Sequence, residues 1–235
     1  FQSCSELVQV TFTGNSLKKI ASNVFMRTKI STLTLPDSVE SLGSMGYCDH
    51  LTTLHLGSGL KEITGGFYDC KALKELRLPA SLLSMPENAF DGCNVILYAE
   101  AKSKPDGWAD NWHSNMPVVW NANEVKTLTQ NGLLYAVNGE SATVVRYSGN
   151  AKELTVPEQV TIDGVSYPVT EFGSNAFYLA TALCKLSLPN SLEKVNQPQF
   201  IGCNALQYHV ENGVAYLYVT QKMQKKFNEF TANFY

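Results

Sequence analysis

Residues Leu76–Ile96, LRLPASLLSMPENAFDGCNVI, and Leu186–Leu206, LSLPNSLEKVNQPQFIGCNAL, align without a gap and agree at 9 of 21 positions. Internal repetition of this kind constrains a fold more than composition does, because each copy must adopt much the same conformation. The centre of the phrase, Phe-x-x-Cys, occurs at Phe1…Cys4, Phe67…Cys70, Phe90…Cys93 and Phe200…Cys203, with degenerate copies at Phe25…Thr28, Met45…Cys48 and Phe177…Ala180. Successive anchors lie 24, 20, 22 and 23 residues apart from Phe1 to Phe90, and 23 apart from Phe177 to Phe200.

Three residues after the Cys position an aliphatic residue opens a short strand, at Leu7, Leu51, Leu73, Ile96 and Leu206. The strand reads Leu-x-x-Leu-x-Leu in Leu51–Leu56, Leu73–Leu78 and Leu183–Leu188. Proline then ends it, as in Leu35-Pro36, Leu78-Pro79 and Leu188-Pro189, since proline has no N–H for a ladder. At Gly57-Ser58-Gly59 the corner is expected to turn through glycine flexibility instead. A second aliphatic pair three residues apart follows, for example Val39/Leu42, Leu60/Ile63 and Leu192/Val195. A unit of about 22 residues cannot bury these corners alone. Stacked coils about 4.8 Å apart would pair every strand with its neighbours and set each apolar corner on its counterpart. The phrase therefore predicts one turn of a mainly β solenoid.

The sequence Leu-x-x-Leu-x-Leu-Pro-x-Ser-Leu, followed by Asn88-Ala89-Phe90-Asp91-Gly92-Cys93 or Gly173-Ser174-Asn175-Ala176-Phe177, resembles the BspA-like leucine-rich repeat family. The resemblance implies a right-handed leucine-rich-repeat β-solenoid, with short strands on one face and turns or 3-10 segments on the other. It also implies a secreted or cell-surface bacterial protein of Bacteroidetes type, its signal peptide or lipid anchor removed, acting as an adhesin for an extracellular protein or glycan.

The expected organisation is a repeat array over 1–98, an irregular tryptophan-containing segment with a β-hairpin over 99–150, a second array over 151–218 and a C-terminal capping helix over 219–235, all forming one continuous body. The hairpin is expected where Leu133–Val137 and Ala142–Val145 flank Asn138–Ser141. A second strand pair, Leu154–Pro157 with Tyr167–Val169, is expected around Asp163-Gly164. The helix rests on Met223, Phe227 and Phe230 at helical spacing behind Thr220. An end helix of this kind would hide the last apolar layer, as solenoids require.

Chemistry is harder to find. Net charge is −3, so no basic surface invites nucleic acid, and no apolar run is long enough to span a bilayer. The four histidines stand outside any nucleophile motif, and no phosphate loop or calcium loop occurs, so catalytic residues, cofactors and metal are all expected to be none. The six cysteines lack metal-knuckle spacing. A position that accepts Cys, Thr28 or Ala180 reads as a small buried slot rather than a bond or ligand. Asn23, Asn88 and Asn175, each two residues before the anchor, read as turn residues that satisfy nearby backbone groups.

Two features keep a binding reading. Outward positions of the main strands, among them Thr32, Thr34, Thr53, His55, Glu75 and Arg77, line a face that either binds a partner or is merely solvated. Trp108 and Trp112 are either exposed hot-spot residues or pack the middle segment onto the solenoid. The expected function is thus a non-enzymatic interaction module. The alternatives are a structural spacer of a larger surface protein, or an accessory to glycan or peptide processing with the tryptophan segment as its cleft.

Overall fold

The computed structural model describes residues 1–196, Phe200 and Cys203, and the backbone of His209–Glu211 and Val214–Tyr216. The expected capping helix over 219–235 lies outside the described residues; among these, no α-helix occurs. The chain divides into two compact units, Phe1–Asn123 and Glu124–Tyr235.

The first unit contains β1 (Lys19–Ile20), β2 (Thr32–Thr34), β3 (Ser41–Leu42), β4 (Thr53–His55), β5 (Glu62–Ile63), β6 (Glu75–Leu78), β7 (Ile96–Ala99) and β8 (Val118–Val119). On one flank β2 pairs in parallel with β4, β6 with β7 and β7 with β8. On the other flank β1, β3 and β5 pair in parallel, and a bridge from Glu62 to Ser84 carries that ladder one coil further. Successive coils thus place short strands or bridges along two flanks. Strands of two to four residues suffice, because every backbone bond goes to the next coil at the same position of the repeat.

Side chains alternate across the strands, and the aliphatic phase faces inward: Leu33, Leu54, Leu76 and Leu97 are all buried. The aromatic anchors form a rung, with Phe67 stacked on Phe90 at 5.2 Å between ring centroids and 9° between planes. The ladder runs on past residue 98. Met85 bridges to Trp108 in parallel, Ala89 N–H donates to the Trp112 carbonyl, and the Trp112 ring meets Phe90 edge-on at 6.1 Å. Trp108 therefore continues the second aliphatic rung and Trp112 the aromatic one. The segment read as irregular carries a coil whose rungs are tryptophans, too different in wording to match the repeat.

The second unit contains β9 (Lys126–Gln130), β10 (Leu133–Asn138), β11 (Ser141–Tyr147), β12 (Glu153–Thr155), β13 (Gln159–Ile162), β14 (Val165–Phe172), β15 (Lys185–Ser187), β16 (Lys194–Val195), β17 (His209–Glu211) and β18 (Val214–Tyr216). The expected hairpin is β10–β11, and β9 adds an antiparallel strand to it. From β11 onward the parallel rule resumes, β11 to β14 to β16 on one flank and β12 to β15 on the other. The turn at Asp163-Gly164 is present, but its arms are β13 and β14. Leu154 belongs to β12 and pairs with Leu186, so the expected pairing of 154–157 with 167–169 is corrected. The reason is register: Leu154 completes a Leu-x-Val inward pattern that only the inter-coil ladder can bury. Tyr147 takes the aromatic anchor's place, 6.2 Å from Phe177, which stacks in turn on Phe200 at 5.6 Å. Tyr147 N–H donates to the Ala176 carbonyl as Phe67 N–H does to that of Ala89, both at 2.6 Å.

Candidate interaction face

The flank formed by β2, β4, β6 and β7 presents its non-aliphatic phase to solvent. Thr32 stands opposite Thr53 and Thr34 opposite His55, and β6 packs beside β4. Thr32, Thr34, His55, Glu75 and Arg77 are exposed and Thr53 is half-buried. The structure therefore brings six of the residues singled out from the sequence onto one flank. Their alignment follows from the period: a strand 21 residues later returns the same phase to the same place.

Three further residues join this face. Tyr98 is registered on Arg77. The Arg77 guanidinium donates to the Asn123 side-chain oxygen at 2.8 Å and lies 3.9 Å from the Glu100 carboxylate. Burial, reinforced by the Glu75 charge, pushes the Tyr98 phenol above its ordinary pKa, so it remains a neutral donor. Sequence reasoning missed Tyr98 because the repeat count places Ile96 inward. In the structure Val95 and Leu97 are buried and Ile96 is half-buried. The ladder sets Leu97 on Leu76 and Ala99 on Leu78, so the odd phase lies inward and the even phase, with Tyr98, outward. The alternation Val95-x-Leu97-x-Ala99 was the available signal.

Trp108 and Trp112 lie elsewhere. Their relative exposures are 2% and 1%, too small to offer a ligand any ring surface. Their centroids are 4.5 Å apart with planes at 70°, Trp120 packs beside both, and the Trp108 indole N–H donates to the Leu82 carbonyl at 3.1 Å. Of the two sequence readings, packing onto the coil below describes them.

At the start of the face, a groove of about 600 Å³ runs between Val8–Phe12 and β2, with Thr32, Thr34 and Pro36 among its lining residues. Its walls carry no ionisable side chain. On the opposite flank Glu40 lies between Lys18 and Lys61 at 2.6 and 2.7 Å. Hydrogen bonds from those two ammonium groups hold the Glu40 carboxyl down at about 2. Among the described residues, no group of three or more His, Cys, Asp or Glu side chains is placed to hold a metal ion. Nor is any helix of the described residues long and apolar enough to cross a membrane.

The buried slots are filled as the repeat requires. Cys48, Cys70 and Cys93 donate from Sγ to the carbonyls of Phe25, Met45 and Phe67 at 3.3, 3.1 and 3.0 Å, one coil back in each case. Cys203 does the same to Phe177 at 2.9 Å, and Thr28 donates to Phe25 within its own coil. All six thiols are free.

A family model matches the repeats of this chain. The family described as "BspA type Leucine rich repeat region" matches in six copies over residues 1–97 and 147–221. Similar solved structures include a leucine-rich repeat protein from Eubacterium ventriosum, at 15% identity over 88% of this chain and 62% of that one, with a TM-score of 0.47. A leucine-rich repeat protein from Bacteroides capillosus is 33% identical over 34% of this chain and 62% of that one, with a TM-score of 0.30. A leucine-rich cell-surface protein from Faecalibacterium prausnitzii is 20% identical over 88% and 55% respectively, with a TM-score of 0.40. The chain thus spans between 55% and 62% of the length of these three structures. Comparison with curated proteins finds no match. With stacked coils, an aromatic rung and a Cys slot in register, and six matched copies of the repeat, the chain belongs to the BspA-type leucine-rich repeat family.

Proposed function

We propose that this chain is a non-enzymatic interaction module of a secreted or cell-surface bacterial protein, binding an extracellular protein or glycan along the β2–β4–β6–β7 face. One observation carries the reading. The inter-coil register files Thr32, Thr34, Thr53, His55, Glu75 and Arg77 along one flank, all but half-buried Thr53 exposed to solvent. An extended face of small hydroxylated residues with one charged coil suits a broad, shallow contact rather than a pocket, as repeat proteins commonly bind. Membership of an interaction-rich repeat family supports the same class of function by analogy. The accessory-cleft alternative loses its motive, since Trp108 and Trp112 are buried.

Arrays of matrix proteins and glycans, probed with the chain and with a His55→Ala, Arg77→Ala double variant, test the proposal. A partner bound by the chain and lost at least tenfold in the double variant is the expected result. Binding unchanged by the double variant would place the contact elsewhere. No partner at all would favour the spacer alternative, which the parallel inter-coil pairing within each unit also accommodates.

A further inference from the structure

We infer that the groove between Val8–Phe12 and β2 receives an extended, uncharged segment of a partner polypeptide as an added β-strand. This deepens the interaction-module reading and rests on it. The first two coils are tied on both sides of the groove. Lys29 N–H donates to the Leu7 carbonyl at 2.9 Å, and the Glu40 and Ser41 N–H groups donate to the Lys18 carbonyl at 2.8 and 3.1 Å. Between these ties, no backbone hydrogen bond joins Val8–Phe12 to Thr32–Thr34 among the described residues. The coils part here, and the groove is the space between them.

The direction of the free backbone groups follows from the ladder. Thr53 N–H donates to the Ser31 carbonyl, and Leu35 N–H to that of His55. In a parallel pair, successive residues direct their N–H and C=O groups to opposite sides. Ser31, Leu33 and Leu35 therefore face β4, and Thr32 and Thr34 direct theirs into the groove. Donor and acceptor sites that recur every second residue, about 6.6 Å apart, match an extended polypeptide backbone. Neither a lipid nor a nucleic acid repeats them at that spacing. Walls without an ionisable group call for an uncharged segment, and Val8, 62% exposed at the rim, offers it an apolar contact. The length of Val8–Phe12 sets the occupant at about five residues. A strand seated there continues the parallel ladder that β2 and β4 already form. A second copy of this chain cannot supply that strand from its own Val8–Phe12, which is tethered on both sides.

The test uses the whole chain and an acetylated, amidated Thr-Val-Thr-Val-Thr peptide carrying a fluorescent label. Anisotropy titration is expected to give saturable one-site binding, weakened at least tenfold when alternate peptide nitrogens are methylated. Amide exchange by NMR is expected to show Thr32 and Thr34 exchanging fast in the free chain and at least tenfold slower in the complex, with Thr53 protected throughout. Four results overturn the inference: protection of Thr32 and Thr34 in the free chain, equal binding of the methylated peptide, failure to saturate, or sedimentation showing the groove occluded in a dimer. If the peptide fails while His55 and Arg77 still govern capture on the arrays, strand addition falls and the module reading stands.

Discussion

Asn23, Asn88 and Asn175 adopt left-handed backbone with φ of 63°, 52° and 59°. That conformation is what their position demands, and asparagine tolerates it better than other residues with a Cβ. The sequence marked these sites as turns but gave the side chain the work. In Asn175 both side-chain polar atoms are buried without a hydrogen-bond partner among the described residues, so conformation is the stronger requirement. Asn175→Ala should cost about 1 kcal/mol and Asn175→Gly less, measured by urea unfolding. Equal costs would restore the hydrogen-bonding role. The Cys slot was legible because Cys, Thr and Ala alternate in it; the carbonyl one coil back was not, since it lies some 25 residues away in sequence. Burial, then the neighbouring Cys70, pushes the Cys93 thiol up to about 12, and Cys70 is raised by its hydrogen bond with Cys48 and by burial. A thiol must ionise to react. Iodoacetamide on the native chain should therefore label exposed Cys4 and leave Cys70 and Cys93 until denaturant is added, as read by mass spectrometry. Labelling of Cys70 as fast as Cys4 would refute the slot.

Among the elements, the corner at Gly57-Ser58-Gly59 has a different cause from the one its composition announces. Neither glycine has positive φ. A Cβ on Gly57 would strike the Pro36 carbonyl, and one on Gly59 the Asp37 carbonyl, so close approach of the coil below is the constraint. Gly57→Ala is expected to destabilise by about 1–3 kcal/mol through overpacking, seen as a lower urea midpoint. Strand β9 shows the converse failure. Asn131-Gly132 joins β9 to β10 with φ of 52° and 77° at the two turn residues, a tight hairpin turn. That dipeptide was readable, but Lys126–Gln130 is exposed except for half-buried Leu128 and carries almost no apolar alternation to announce a strand. The tryptophan coil hid for a related reason: Trp112 fills the aromatic rung without the Phe-x-x-Cys wording. Truncating it should cost about 3–5 kcal/mol as Trp112→Ala, the cost of a large buried aromatic. A loss under 1 kcal/mol would remove it from the rung.

Across the whole molecule, the alkaline limit of stability belongs to groups buried in their neutral form. The Cys93 thiol, ordinarily at 9.0, stands at about 12 in the fold. The Tyr135 phenol, ordinarily at 10.0, is pushed by burial to about 12 as well. Between these limits the unfolded chain has released protons that the folded chain retains, so stability is full below about pH 9 and falls as pH rises toward 12. Urea midpoints taken at intervals above about pH 8 should decline steadily, and less steeply in Cys93→Ala. A flat profile would mean these groups ionise as easily folded as unfolded.

The period, the inward aliphatic phase and the anchor rung were written in the residues themselves, because a repeated unit unable to bury its own apolar corners has stacking as its outlet. The same arithmetic names Thr32, Thr34, Thr53, His55, Glu75 and Arg77 as an outward file. What depended on tertiary structure were the departures from the period: the register of β7 on β6 that sets Tyr98 beside Arg77, the tryptophans that continue the rungs, and the parting of the first two coils beside β2. Each is settled by contacts between residues a full coil apart, where packing and register compete and no local pattern records which one prevails.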